Sequence, residues 1–157
     1  MTQVKGNLYR HTNDTIPSLH SGLVLITKAG AIVMDPALTP AAIWLNDEIK
    51  KRFKVKVKYV ILTHAHYDHA GGPQIFQQDG EKVIIQKNGL EPINGKKLPI
   101  AVPDMVYDKQ LTIKLGGETV VLHHIAPSHS NSMFGRVVPC FQSPSVDRCR
   151  AIQHHAL

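Results

Sequence analysis

Four side chains that can bind a metal ion fall within six consecutive residues of this chain: His64, His66, Asp68 and His69. They directly follow an apolar segment, residues 57–62, whose composition is typical of a buried strand. Imidazole nitrogens and carboxylate oxygens bind zinc, and they also suit iron or manganese. Burying so many polar groups without partners would cost several kcal/mol. The cluster therefore predicts a metal site at the end of a strand.

The segments around the cluster predict an α/β fold. A helix over about residues 73–78 separates the strand before the cluster from a strand at residues 82–86. This order favours parallel pairing in one sheet, and open sheets form their sites beyond the carboxyl ends of such strands. Two β-hairpins flank the unit, at residues 23–34 and 111–125, each with its turn marked by glycine.

Two further segments carry specific expectations. Thr39 and Pro40 suit the cap and the first position of a helix that continues to about Phe53. Trp44 lies on this helix, and we expect it to be a core anchor. Residues 88–103 are rich in Gly, Pro, Asn and Lys, so we expect an exposed loop there.

The composition excludes several classes of protein. The chain has 157 residues, 43% hydrophobic and 19% charged, which suits one globular domain rather than a disordered chain. No apolar run reaches the ~20 residues of a membrane span. No secretory signal is visible near the N-terminus, so we expect a cytoplasmic protein without a membrane partner. Cys140 and Cys149 lack the spacing of a zinc knuckle or redox motif, and we expect free thiols.

The formal net charge of +6 raises the alternative of an anionic partner such as nucleic acid. Basic residues concentrate at positions 50–58, but from Lys54 onward they alternate with apolar residues, as in a half-exposed strand. No aromatic residues interleave with them as in single-strand binding grooves. We therefore rank a nucleic-acid-processing function last.

The segment over residues 63–72, with the order His-x-His-x-Asp-His, resembles the signature of the metallo-β-lactamase superfamily. Two surrounding features resemble that family as well: Asp35 ends a strand before the first helix, and His129 follows a hairpin and a proline. The resemblance covers about residues 6–139. It implies an α/β fold, the metallo-β-lactamase αββα sandwich, of which this chain holds mainly the N-terminal half.

The resemblance also implies a ligand set and a function. His64, His66 and His129 would form the first metal site, and Asp68 and His69 would belong to the second. With one or two Zn²⁺ ions, the protein would be a zinc-dependent hydrolase of small-molecule substrates. Metal-activated hydroxide would attack an ester, thioester, lactam or phosphoester, and Asp68 would be the catalytic residue that holds the water.

The C-terminal part departs from the family pattern. The family supplies a bridging Asp and a final His after the third His, but Asp147 lacks the expected context, and His154 and His155 resemble a frayed tail. We therefore expect a metallo-β-lactamase-like domain, 1–139, and an atypical tail, 140–157, and our hypothesis is that truncation or a frameshift produced the tail. Sheet surface left uncovered would favour self-association into a homo-oligomer.

This departure leaves a second functional hypothesis, a truncated and catalytically weak metal-binding protein without a complete dinuclear site. The remaining histidines do not favour either of the two functional hypotheses. His123 and His124 are interpreted as ordinary strand positions. His11 and His20 belong to no motif, and we assign them no role.

Overall fold

The structure is a computed structural model that describes residues 1–13, 20–95, 100–124, 136–143 and 146–149. Within these residues the larger sheet has seven strands, and their spatial order is their order along the chain. They are β1 (Thr2–Lys5), β2 (Leu8–Asn13), β3 (His20–Thr27), β4 (Gly30–Met34), β5 (Val57–Ile61), β6 (Lys82–Gln86) and β7 (Met105–Tyr107). Pairing is antiparallel from β1 to β4 and parallel from β4 to β7. The predicted parallel pairing is thus confirmed.

The second sheet is antiparallel and has the order β11-β10-β9-β8. Its strands are β8 (Gln110–Leu115), β9 (Glu118–His123), β10 (Arg136–Ser143) and β11 (Val146–Cys149). Both predicted hairpins, β3–β4 and β8–β9, are confirmed. β10 continues past residue 139, so the predicted division between 139 and 140 falls inside a strand, and the division stays a prediction. The thiols of Cys140 and Cys149 lie outside the described side chains.

In the described residues four α-helices connect the strands, α1 (Thr39–Phe53), α2 (Tyr67–Ala70), α3 (Gln74–Gln77) and α4 (Leu90–Gly95), and a 3₁₀ turn, Lys87–Gly89, precedes α4. α1 has the predicted bounds, whereas the helix predicted at residues 73–78 is the single turn α3, preceded by the unpredicted turn α2. The prediction of an exposed loop at residues 88–103 is wrong in part. The segment contains α4, because Ile93 and Ile100 are apolar enough to be buried in the core.

Two predictions about α1 are wrong. The cap is Leu38, and Thr39 is the first helical residue, whose hydroxyl donates instead to the carbonyl of Gly71 at 3.0 Å. Trp44 is 41% exposed rather than a core anchor. Successive helical residues are about 100° apart, and Trp44 points away from the centre of the buried face. That face consists of Ala41, Ala42, Leu45, Asn46 and Ile49.

Two hydrophobic clusters define the layers of the fold. The first lies between the helices and the large sheet, and all four helices contribute to it, through residues such as Leu45, Ala70, Phe76 and Ile93. The second lies between the two sheets, and it includes Leu25, Ile32, Ile84, Ile113, Val120 and Leu122. Side chains alternate across each strand, so the large sheet is covered on both faces.

The layers are therefore helix, sheet and sheet, which confirms the α/β class and the predicted N-terminal part of the sandwich. All the described helices lie on one side of the large sheet, so none of them covers the outer face of the second sheet. No helix in the described part of the chain is long and apolar enough to cross a membrane.

Candidate metal centre

The site forms at one edge of the large sheet, where the strand order brings distant residues together. β4 and β5 are parallel and pair Met34 with Ile61, so their carboxyl ends meet at this edge. Asp35 follows β4, and its backbone N–H donates to the carbonyl of Ile61 at 3.0 Å. The predicted cluster begins at His64, shortly after β5. β3 is antiparallel to β4, so His20, its first residue, lies at the same edge.

Asp35 is a buried acceptor beneath the cluster, with 3% of its surface exposed. Its Oδ1 accepts the backbone N–H of Thr63 at 2.8 Å, and its Oδ2 accepts the Thr63 hydroxyl at 2.6 Å. Nδ1 of His69 lies 3.2 Å from the same Oδ2. Burial raises the pKa of Asp35, but the hydrogen bonds and the charge of His69, with the bonds from Thr63, hold that pKa below its ordinary value. Asp35 is thus an anion in the interior.

Thr63 connects this anion to the first histidine of the motif. The Thr63 Oγ1 atom lies 2.8 Å from Nδ1 of His64, whose ring is almost completely buried. A hydroxyl has one proton, and Thr63 gives it to the Asp35 carboxylate, so its oxygen accepts the Nδ1–H of His64. In this arrangement a metal ion at His64 would be held through Nε2.

The imidazole rings of the motif lie against one another. The ring centroid of His64 is 4.5 Å from that of His66 and 4.4 Å from that of His69. His66 is exposed and is the cap of α2, whose single turn carries Asp68 and His69. The carbonyl of His66 accepts the backbone N–H groups of His69 and Ala70, at 3.0 and 2.9 Å. This short turn brings the four predicted residues of the motif together.

His69 is held between two carboxylates. Its Nδ1 faces Asp35, and its Nε2 lies 3.9 Å from Oδ2 of Asp68. Burial lowers the pKa of His69, but the hydrogen bond to Asp35 and the negative charges of Asp35 and Asp68 together raise that pKa above its ordinary value. The same field that favours a proton on this ring favours a metal cation beside it.

Sequence reasoning missed two residues of this site, Asp35 as the acceptor beneath it and His20 at its rim. Nε2 of His20 lies 3.3 Å from Oδ2 of Asp68, and its ring centroid is 5.0 Å from that of His69. His20, Asp68 and His69 offer ligand atoms that all lie within 4.8 Å of one another. The signal for Asp35 was a polar residue ending an apolar strand, but nothing local marks His20.

Several predicted or considered ligands cannot be placed. His129 lies outside the described residues, as do His154 and His155, and Asp147 is described only as part of the backbone of β11. The assignment of His129 to the first metal site therefore stays a prediction. Tyr67, inside the motif, is 40% exposed.

A layered α/β fold with imidazoles and carboxylates gathered at a sheet edge defines a class of metal-site proteins. The family model of the metallo-beta-lactamase superfamily matches residues 18–136. The chain belongs to that superfamily, as the motif predicted.

The relatives found by sequence are hydrolases. The chain is 32% identical over 109 residues to a metallo-beta-lactamase type 2 of Bacillus cereus, a match that covers 58% of this chain and 41% of that protein. It is 30% identical over 108 residues to a hydroxyacylglutathione hydrolase of Nitrosomonas europaea, covering 66% of this chain and 39% of the relative. The matched region thus spans about two-fifths of the length of these relatives.

Solved structures show the same fold. A metallo-beta-lactamase from Pontibacter korlensis superposes with a TM-score of 0.79 at 23% identity, covering 88% of this chain and 65% of the other. One from Legionella gormanii gives a TM-score of 0.72 at 21% identity, covering 88% and 56%. At these identities the likeness supports the fold alone.

Proposed function

We propose that this protein is a zinc-dependent hydrolase that uses His64, His66 and His129 for one metal ion and Asp68 and His69 for a second. The observation that carries the proposal is the convergence of three imidazoles and a carboxylate at one sheet edge, above a buried anion. Nδ1 of His64 is bonded to Thr63, and Nδ1 of His69 faces Asp35, so both rings are oriented by the folded chain.

The donor set fits zinc. Neutral imidazole nitrogens and carboxylate oxygens are its usual ligands alongside thiolates, and they also suit iron and manganese. Histidines that bind a metal through one nitrogen commonly donate the other N–H to a carboxylate or another fixed acceptor. Asp35 supplies this contact to His69, and Thr63 relays it to His64. Both rings would therefore present Nε2 to a metal ion.

A zinc ion here would supply Lewis-acid polarisation of the substrate and a lowered pKa for water. The chain's own residues would do the rest. The Asp68 carboxylate is 45% exposed, so it can accept a hydrogen bond from an entering water molecule. This bond would orient a lone pair of the water oxygen towards the substrate. The buried Asp35 and Thr63 would keep the rings from rotating, so the ligand nitrogens would be preorganised.

The substrate class is inferred from the activities that the names of the relatives state. One relative is a lactamase and another hydrolyses a hydroxyacylglutathione. An activated carbonyl in a small molecule, in a lactam, ester or thioester, is therefore the first choice, and a phosphoester is the second. Superfolds support many substrates, so the family name alone does not select a lactam.

The proposal is tested by metal content and hydrolysis measured on the same samples. Protein purified without added metal is assayed by elemental mass spectrometry and then, with zinc, on a panel of one lactam, one ester, one acyl-glutathione thioester and one phosphodiester. We expect bound zinc and turnover of at least one substrate. His66→Ala, which removes an exposed ring, should lower both, whereas Asp104→Asn, at a carboxylate hydrogen-bonded to Val83 and Gln77, should lower neither.

The rival is the catalytically weak metal-binding protein, and the same samples separate the two. Zinc retained in the wild type and lost in His66→Ala, with no turnover of any panel member, would favour the rival. Absence of metal binding even after zinc is added would refute both hypotheses.

A further inference from the structure

We propose that His20 is a ligand of the metal ion bound by Asp68 and His69, so that the first strand of the β3–β4 hairpin supplies a third donor to this site. The inference rests on the proposed function in one respect, that a divalent metal ion binds at this edge. It adds a residue that lies well before the motif in sequence and belongs to no recognised signature.

The spacing of the donor atoms fits a shared metal ion. Zinc–nitrogen and zinc–oxygen bonds of about 2.0–2.2 Å place the ligand atoms of a tetrahedral site about 3.3 Å apart. Nε2 of His20 lies 3.3 Å from Oδ2 of Asp68, and Nε2 of His69 lies 3.9 Å from the same oxygen. The three ligand atoms lie within 4.8 Å of one another, so a small inward movement of the side chains would complete the geometry.

The surroundings of the His20 ring support a ligand role over a simple ion pair. Its Nε2 atom is shielded from solvent, yet it makes no hydrogen bond of acceptable geometry, even though Asp68 lies at 3.3 Å. The close approach is therefore not a formed hydrogen bond, and both atoms remain available to a metal ion. The ring also packs edge-on against His69, which restricts its rotation.

The backbone at His20 is positioned by the sheet. His20 is paired with Asn13 of β2, and β3 continues into a core strand whose residues Val24 and Leu25 are completely buried. Sites built on strands hold their ligands more precisely than sites built on loops. Asp35 fixes the third partner, His69, from below. Two of the three donors are therefore held in place by the folded chain before metal arrives.

The competing account is that His20 only positions Asp68 through a hydrogen bond. Two substitutions distinguish the accounts in the full-length, metal-free chain titrated with Co²⁺ under reducing conditions. His20→Gln keeps an N–H donor for Asp68 but replaces the imidazole nitrogen with a poor metal ligand. His20→Cys removes that donor but offers a thiolate, which binds Co²⁺ and Zn²⁺ strongly.

We expect His20→Gln to weaken cobalt binding at one site by more than about 100-fold, since loss of a residue that merely orients a ligand costs about 10–100-fold. We expect His20→Cys to keep that site and to show a thiolate-to-cobalt charge-transfer absorption that the wild type lacks. Ser21→Ala, the next residue on β3 with its side chain on the opposite face, is the matched control and should bind cobalt as the wild type does.

Wild-type cobalt affinity in His20→Gln, or a cobalt-loaded His20→Cys without the new absorption, would overturn the assignment of His20. If circular dichroism shows that metal-free His20→Gln is unfolded, the charge-transfer absorption of His20→Cys alone distinguishes the two accounts of His20. These results leave the proposed function standing, because the wild type still binds metal. A wild type that binds no cobalt would overturn both proposals together.

Discussion

The carboxylate of Asp35 lies 3.2 Å from Nδ1 of His69, although 34 residues separate the two in the chain. The contact exists because the parallel strands β4 and β5 end at the same sheet edge. It determines which nitrogen of His69 faces outward, and its negative charge raises the basicity of the ring. A carboxylate that holds a histidine from behind in this way is a recurrent support for metal ligands.

Asp35→Asn tests this support. The amide has the same size as the carboxylate but lacks its charge, and its NH₂ group cannot accept the proton that His69 or Thr63 donates. We expect zinc affinity, measured by calorimetry, to fall about 10–100-fold. Asp104→Asn removes a charge from a carboxylate bound to Lys82, and it is the matched control, expected to leave zinc affinity unchanged. Equal affinity in Asp35→Asn and wild type would show that Asp35 is only structural.

Thr63→Val tests the hydroxyl that connects Asp35 to His64. Valine has nearly the same shape, but it removes the buried hydroxyl that bonds Nδ1 of His64 and Oδ2 of Asp35. We expect the free energy of unfolding of the metal-free chain to fall by about 1–3 kcal/mol, measured by urea denaturation. Thr63→Ser retains the hydroxyl and should recover most of the loss. A serine variant as unstable as the valine variant would contradict the relay.

Much of the fold could be predicted because its signals are local. The hairpin β3–β4, helix α1 and the strands β5 and β6 each have their own apolar period and their own turn or helix-start residues. The ligand motif was recognisable for the same reason, since His64 to His69 are contiguous. The predicted half-exposed strand is confirmed only from Val57 onward, where Lys58 is exposed on β5, whereas Lys54 is the cap residue at the end of α1 and Lys56 lies before the strand.

The remaining features depend on pairing between distant segments, which no local pattern encodes. His20 enters the site because β3 runs antiparallel to β4, and Asp35 acquires its role only when β5 is placed beside it. Trp44 was misassigned because a large apolar residue was taken to be buried, whereas α1 buries small side chains such as Ala42 against the site loop, residues 71–73 between α2 and α3. Aromatic size alone does not determine which face of a helix is buried.

Gly72 shows how closely the site loop packs on α1. A Cβ atom at this position would lie 2.7 Å from Cβ of Ala42 and 2.8 Å from the carbonyl oxygen of Ala37. Neither Gly71 nor Gly72 has a positive φ, so the constraint at this position is space rather than backbone conformation. Any side chain would therefore push the loop away from the helix.

We expect Gly72→Ala to lower the free energy of unfolding by about 1–3 kcal/mol, the usual cost of overpacking, and to weaken zinc binding through displacement of α2. Chemical denaturation and calorimetry measure the two effects. Gly80→Asn is the control: its φ of +88° suits glycine or asparagine, and no atom lies within 4 Å of the added Cβ. Gly72→Ala with wild-type stability would contradict the packing argument.

The buried side chain of His11 makes the stability of the folded chain depend on pH. Its buried Nε2 lies 3.2 Å from the carbonyl of Met34, to which it donates, and Gly22 across the β2–β3 pair leaves room for the ring. Burial lowers the pKa of His11 from 6.5 to about 4, and this outweighs the opposing effects of the Met34 hydrogen bond and the Asp35 charge. The folded chain therefore keeps this ring neutral where the unfolded chain protonates it.

The sign of the resulting effect follows from proton uptake. Between pH 6.5 and about 4 the unfolded chain binds a proton at His11 that the folded chain does not bind, so stability is complete above 6.5 and decreases as the pH falls towards 4. The full decrease amounts to about 3 kcal/mol. His11→Gln keeps an N–H donor for Met34 without a titrating ring, so the difference between the two stability profiles, from urea unfolding of the metal-free proteins, isolates this group. Parallel profiles across the window would mean that His11 is protonated equally in both states and that its burial has no energetic consequence.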